Sequence, residues 1–216
     1  MIVARIIAIA IGYVFGLFQT GYFYGKSQGI DIRKAGSGNA GTTNSLRVLG
    51  MKAGLITFAG DLIKAILAVV VTLLIFKNQY PEGVKLLELY AGFGAVLGHN
   101  FPFYLNFRGG KGIACTAGVI LALFPSAALI CLAVFLICLA ITRYVSLSSI
   151  LMVLVFLTTA LISNHYGYLG VADTYLIEFD IVVGCFVAMA IWRHRANIVR
   201  LIHGNENKLS IKKQKQ

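Results

Sequence analysis

"GIACTAGVILALFPSAALICLAVFLICLAI", residues 112–141, is a run of thirty nearly unbroken apolar side chains with one proline, Pro125, near its middle. One ordinary membrane-spanning helix needs about 20 residues, so the run is too long for one crossing and barely enough for two. Whether the chain crosses once or twice here sets the parity of everything that follows.

The rest of the chain has the same character. Of its 216 residues, 58% are hydrophobic and 12% charged, against about 25% charged in average soluble domains, and the mean hydropathy is +0.82. Further apolar runs cover 2–24, 53–76, 86–104, 147–163 and 179–192. They are rich in Leu, Ile, Val and Ala without period-two alternation, which points to an all-α, polytopic helical bundle and away from a β-barrel. The first run is longer than a signal-peptide core and lacks a small-residue cleavage site, so it is expected to be the first span. Cys115, Cys131, Cys138 and Cys185 lie in apolar segments with neither metal-ligand nor disulfide spacing, and are expected to be small buried hydrophobes.

Charge resolves the parity. Residues 25–52 carry five Lys or Arg and the tail from Arg193 carries seven, which places both on the cytoplasmic side. The connection 164–178 carries none and is expected outside, so the turn at Arg143 is inside. The long run therefore starts inside, after Arg108 and Lys111, and ends inside. Only two crossings fit, 112–124 and 126–141, with Pro125 at the outer tip. The expectation is seven transmembrane helices in one domain over 1–216, N-terminus out and C-terminus in, with a basic, flexible tail at 209–216. Thirteen helical residues rise only ~20 Å, so the first arm is short for a full span. Fifteen of the nineteen basic residues fall on the inner face, where attraction to anionic lipid accounts for part of the excess. No internal repeat, second domain or nucleic-acid motif is visible.

That topology sends three polar stretches to the same inner face: "GSGNAGTTNSLRVLG" at 36–50, "GHNFPFYLNFRGGKGIA" at 98–114 and "HRANIVRLIHGNENK" at 194–208. In the first, Gly36, Gly38 and Gly41 permit a nest of backbone N–H groups. Ser37, Asn39, Thr42, Thr43 and Asn44 add side-chain donors, and Arg47 adds a planar cationic fork. With no carboxylate present, this suits phosphate better than metal. In the second, Arg108, Gly110 and Lys111 stand at a helix N-terminus, another anion site; the GK[ST] of a Walker A loop is absent, because Gly112 follows Lys111. His99 is a further donor or base. In the third, His194, Asn197 and Arg200 share one helical face, and Glu206 lies in the "HGNENK" end. Within the spans, Asp61 and Lys64 at i,i+3 are expected to form a structural ion pair.

Together, in this order and covering nearly the whole chain, the three motifs resemble those of the bacterial acylphosphate-dependent glycerol-3-phosphate acyltransferases, membrane enzymes of phospholipid synthesis. The resemblance implies transfer of a fatty acyl group from acyl phosphate to the 1-hydroxyl of glycerol 3-phosphate, giving lysophosphatidic acid and phosphate. With it go lodging in the bacterial inner membrane with the site facing the cytoplasm, membrane lipid as a further partner, and no cofactor; the residues show no metal site, and they leave oligomeric state open, with a monomer as the expectation. None of His99, His165, His194 and His203 has an aspartate five residues on, so the His-x4-Asp signature of thioester-dependent acyltransferases is missing. By the same resemblance Ser37, Arg47 and Lys111 bind phosphate, with Asn44 and the glycines shaping the pocket, and His194 and Asn197 hold the glycerol phosphate. Departures are Thr43, where a smaller residue is expected, Ala196, where glutamate is common, and Arg108, where lysine is common.

An acyl phosphate is already activated, so the expected work is positioning and neutralising the departing phosphate. The hydroxyl proton goes to His194, to His99 or to a substrate phosphate oxygen; the residues alone leave all three open. No acyl-enzyme is required. Two rivals from other classes are an organic-phosphate transporter, which should show two related halves with midplane binding groups, and a lipid-binding scaffold, which needs no histidine or glycine-rich motifs.

Overall fold

The computed structural model describes residues 1–209, and within them it is all helix, with no strand. The basic tail, apart from Leu209, lies outside the described residues. Ten α-helices occur: α1 (Ile2–Leu17), α2 (Thr20–Ser27), α3 (Thr42–Leu49), α4 (Met51–Phe76), α5 (Val84–Asn100), α6 (Ile113–Leu123), α7 (Pro125–Thr142), α8 (Val145–His165), α9 (Leu176–Arg193) and α10 (Arg195–Ile202). Five stretches are long and apolar enough to cross a membrane: Ile2–Ser27, Met51–Phe76, Pro125–Thr142, Val145–His165 and Asp173–Arg193. α5 and α6 are shorter.

The long apolar run divides where its proline directs. Phe124, the residue before Pro125, leaves the helical region at φ −133° and ψ 61°, because the proline ring crowds a helical predecessor, and Pro125 then opens α7. The two arms do not cling to each other. Gly118 of α6 lies so close to the Leu62 carbonyl of α4 that a Cβ would overlap it, and α7 packs chiefly on α8. A cleft opens between the arms.

Two expected spans are interrupted. The run 2–24 breaks at Phe18–Gln19, because the carbonyls that end α1 receive side-chain donors instead of continuing the helix: Lys64 Nζ donates to Phe18 O at 2.6 Å and Gln19 Nε2 to Gly16 O at 3.2 Å. The run 86–104 stops at Asn100, since Pro102 turns the chain into a short 3₁₀ turn, Phe103–Leu105. The polar stretch 36–50 is non-helical only as far as Gly41 and forms a helix over Thr42–Leu49.

α5 is the central helix, touching α1, α4, α6 and α9. Its seam with α1 is built on two glycine pairs spaced four apart, Gly12 and Gly16 against Gly94 and Gly98. A Cβ on any of the four would overlap a backbone carbonyl of the other helix. Without a hydrophobic drive between helices in lipid, such close approach supplies the packing energy. The motif is legible as G-x-x-x-G twice in the sequence. Cys115, Cys131 and Cys138 are buried as expected, whereas Cys185 is exposed on the outer face of α9.

Candidate active site

The three polar stretches meet at one end of the bundle around a cavity of about 840 Å³. From the first stretch come Ser37, Asn39, Thr42, Thr43, Asn44 and Arg47; from the second, His99 and Lys111; from the third, His194, Asn197, Arg200 and Glu206. Below this polar head the cavity continues between the arms, past Ala117 and Ile120 of α6 and Cys131 and Phe135 of α7.

Asn44 organises the first stretch. Its Oδ1 accepts from the Ser37 amide at 2.8 Å, and its Nδ2 donates to the carbonyls of Ile32, Ala35 and Asn39 at 3.1, 3.0 and 2.9 Å. Gly36 and Gly38 turn the loop with φ of +59° and +71°, and Asn44 Oδ1 fills the space where a Cβ on Gly36 would stand. Part of the backbone nest expected here is already spent, however. The amides of Ser37, Gly38 and Gly41 are spent on Asn44, Ala35 and Asn39 respectively. Among the side chains that the loop offers the cavity is a buried Thr42 hydroxyl without a partner among the described residues. Arg47, one α3 turn beyond Thr43, forms no ion pair among the described residues.

The second stretch is latched from behind. Arg193 donates to the carbonyls of Gly109 and Gly110 at 3.2 and 2.6 Å, and the amides of these glycines bond to Asn100 O and His99 O. Arg193 also lines the cavity; the sequence reading counted it only as a topology charge. The turn carries Asn106 and Phe107 in the left-handed region and sends Arg108 outward, where it is exposed. Arg108 is therefore not brought to the cavity, and Gly36, Gly38 and Gly110 do not line it. Gly110 acts sterically instead: a Cβ there would overlap His99 Nε2.

Lys111 reaches across to α10, its Nζ donating to Asn197 Oδ1. Asn197 Nδ2 donates to Glu206 at 3.0 Å, and Arg200 Nε to the same carboxylate at 2.9 Å. Glu206 is thus a tether for Asn197 and Arg200, both its oxygens already accepting from the protein. Burial pulls the Lys111 ammonium down to about 8, partly countered by Glu206. His194 is buried too; desolvation, then the Lys111 charge, pushes it down to about 4. It is neutral at pH 7, and its Nδ1, 2.7 Å from Ala190 O, must carry the proton, which leaves the Nε2 lone pair free.

Asp61 and Lys64 pair at 2.8 Å as expected, but inside a larger cluster: Lys64 Nζ is 2.9 Å from His99 Nδ1, and Thr20 donates to Asp61 at 3.2 Å. Donor atoms of Asp61, His99 and Cys115 lie within 4.8 Å of one another, a metal-like grouping. The Lys64 ammonium already bonds two of those three, so the cation there is the chain's own. That contact was invisible in the sequence, because only the fold sets α4 beside α5.

A cationic head joined to an apolar cleft has the chemistry that suits a lipid-like anion. The model of the family described as glycerol-3-phosphate acyltransferase matches residues 6–204. The chain belongs to that family. It is 43% identical to the glycerol-3-phosphate acyltransferase of Halalkalibacterium halodurans over 204 residues, covering 94% of each chain. It is 41% identical to that of Bacillus subtilis over 210 residues, covering 97% of this chain and 98% of the relative. Among solved structures it resembles PlsY (YgiH), an integral membrane glycerol 3-phosphate acyltransferase, in the glycerol 3-phosphate form. The TM-score is 0.80 with 32% identity, covering 95% of this chain and 96% of that one. The lysophosphatidic acid form of the same enzyme matches with a TM-score of 0.75, 31% identity and 96% of each chain. The chain is accordingly an acyltransferase of a membrane-embedded family.

Proposed function

We propose that this acyltransferase moves a fatty acyl group from acyl phosphate to the 1-hydroxyl of glycerol 3-phosphate, releasing lysophosphatidic acid and phosphate. The observation that carries the reading is the shape of the cavity: a head lined by Arg47, Lys111, Arg193 and Arg200, continuous with an apolar cleft between α6 and α7. Leu121, Leu132 and Leu136 line that cleft and are themselves exposed, a path along which an acyl tail enters sideways from lipid. The head holds enough cationic side chains for two phosphates, one per substrate.

In this reading Ser37, Arg47 and Lys111 hold the donor's phosphate, and His194 and Asn197 hold the acceptor. The hydroxyl oxygen attacks the acyl carbon. The bond from that carbon to the phosphate oxygen breaks, and phosphate leaves with the electron pair, its growing charge met by Lys111 and Arg47. His194 orients the hydroxyl through its free Nε2 lone pair. With a pKa near 4 it is a weaker base than a phosphate monoester, whose second pKa is about 6, so the proton ends on a phosphate oxygen.

The chain is proposed to cross the bacterial inner membrane seven times as one domain, N-terminus out, with the site facing the cytoplasm. α6 has 11 residues and α7 has 18, and they share the tip at Pro125. At 1.5 Å per residue the Lys111 loop is then recessed by about 10 Å relative to the inner end of α7. This depth lets a donor anchored in the bilayer present its headgroup without leaving it. The test is transfer by the detergent-purified protein from palmitoyl phosphate to glycerol 3-phosphate, without thioester or divalent metal. Lysophosphatidic acid and phosphate in equal amounts are expected; no product from folded protein, with phosphate-ester uptake in proteoliposomes, would establish the transporter instead.

A further inference from the structure

Two histidines face the cavity, and the groups behind them fix opposite tautomers. His194 gives its Nδ1 proton to Ala190 O, so its cavity-side nitrogen is an acceptor. His99 is backed by Lys64. The Lys64 ammonium has three protons and three acceptors: Phe18 O at 2.6 Å, Asp61 Oδ1 at 2.8 Å and His99 Nδ1 at 2.9 Å. His99 Nδ1 therefore accepts, and the ring proton resides on Nε2. A proton on Nδ1 would instead face the Lys64 ammonium at 2.9 Å, donor against donor, and its other neighbour, Asp61, stands 3.5 Å away. Nε2 rests against Gly110, the residue before Lys111, and has no protein partner among the described residues.

We infer that His99 is a hydrogen-bond donor, not a base, presenting Nε2–H to a phosphoryl oxygen held beside Lys111, and that Lys64 and Asp61 are the positioning residues that fix this tautomer. The inference rests on the acyltransferase reading and adds to it a buried trio that the three motifs do not contain as a unit. All three side chains are at least 95% buried, and Lys64 neutralises the Asp61 carboxylate while Thr20 donates to it, so the trio does not repel the anion it faces. A donor fixed in advance at low dielectric stabilises charge developing on a leaving phosphate without reorganising.

The test is nitrogen NMR of the detergent-purified full chain labelled at histidine, with the His99 signals assigned by their loss in His99→Gln. A proton on Nε2, none on Nδ1, and a shift of Nε2–H on addition of inorganic phosphate are expected. In Lys64→Met the Asp61 carboxylate is left alone with the ring, and Nδ1 should gain a proton. An unprotonated Nε2 in the parent protein, or an Nε2–H blind to phosphate, overturns the inference. Kinetics supply the second reading. Glutamine places an amide N–H near the Nε2 position and asparagine near Nδ1, so His99→Asn should lose about 100-fold in kcat with little change in KM, as for loss of one oxyanion donor. His99→Gln should keep at least about tenfold more of it. Equal losses in the two variants count against the donor role. If the protein transfers no acyl group, the spectra still report the tautomer and the phosphate contact, so the two ideas fail separately.

Discussion

Replacing Asn44 by aspartate isolates what the first polar stretch does. The change keeps shape and keeps an oxygen for the Ser37 amide, but it removes both Nδ2 protons. In their place a second carboxylate oxygen would face the carbonyls of Ile32, Ala35 and Asn39, now bonded at 2.9–3.1 Å. Two donor protons lost at about 1.5 kcal/mol each come to about 3 kcal/mol. The helical core is not touched, so the cost falls on the local opening of residues 35–44, which carry Ser37 and lead into Arg47. If the catalytic state needs the closed loop, kcat/KM falls about 100-fold, at 1.36 kcal/mol per tenfold. A carboxyl crowded by three carbonyls has its pKa raised, so the neutral acid, with one donor restored, is favoured as pH falls. The deficit relative to parent at the same pH should therefore shrink toward pH 5. The assay is acyl transfer from palmitoyl phosphate across pH 5–8, with circular dichroism in detergent to show unchanged helix content. A variant within about threefold of parent at pH 7 would refute the claim that Asn44 sets the geometry of this loop.

Arg47→Ala and Lys111→Ala should each abolish transfer while expression stays near normal; full activity in either one removes the anion-clamp assignment. Lys111, with its pKa lowered to about 8, is charged below that pH and neutral above it. kcat/KM should thus fall about tenfold per pH unit beyond pH 8, and a flat profile to pH 10 would exclude a required ammonium. Gly94→Val would drive a side chain into the Ile9 carbonyl across the α1–α5 seam, and is expected to leave no monodisperse protein on size-exclusion chromatography. Gly184, with open space around it, serves as the control, and Gly184→Ala should behave as parent.

The helical membrane class, the split at Pro125 and the grouping of 36–50, 98–114 and 194–208 are all legible in the order of residues alone. Hydropathy is summed along one segment, and a proline acts on its immediate neighbour, so both are legible without knowing what lies across the bundle. The i,i+3 spacing likewise put His194, Asn197 and Arg200 on one face, and Asp61 beside Lys64. The rest follows from how the helices pack. Packing broke the first span at Phe18, because the donor that ends α1 comes from α4. It turned Arg108 outward and Arg193 inward, and it spent the amides of Ser37, Gly38 and Gly41 on Asn44, Ala35 and Asn39. Above all it set Lys64 behind His99, residues 35 positions apart on different helices. A histidine's tautomer is settled by whichever group stands behind its other nitrogen, and that group is chosen by helix packing.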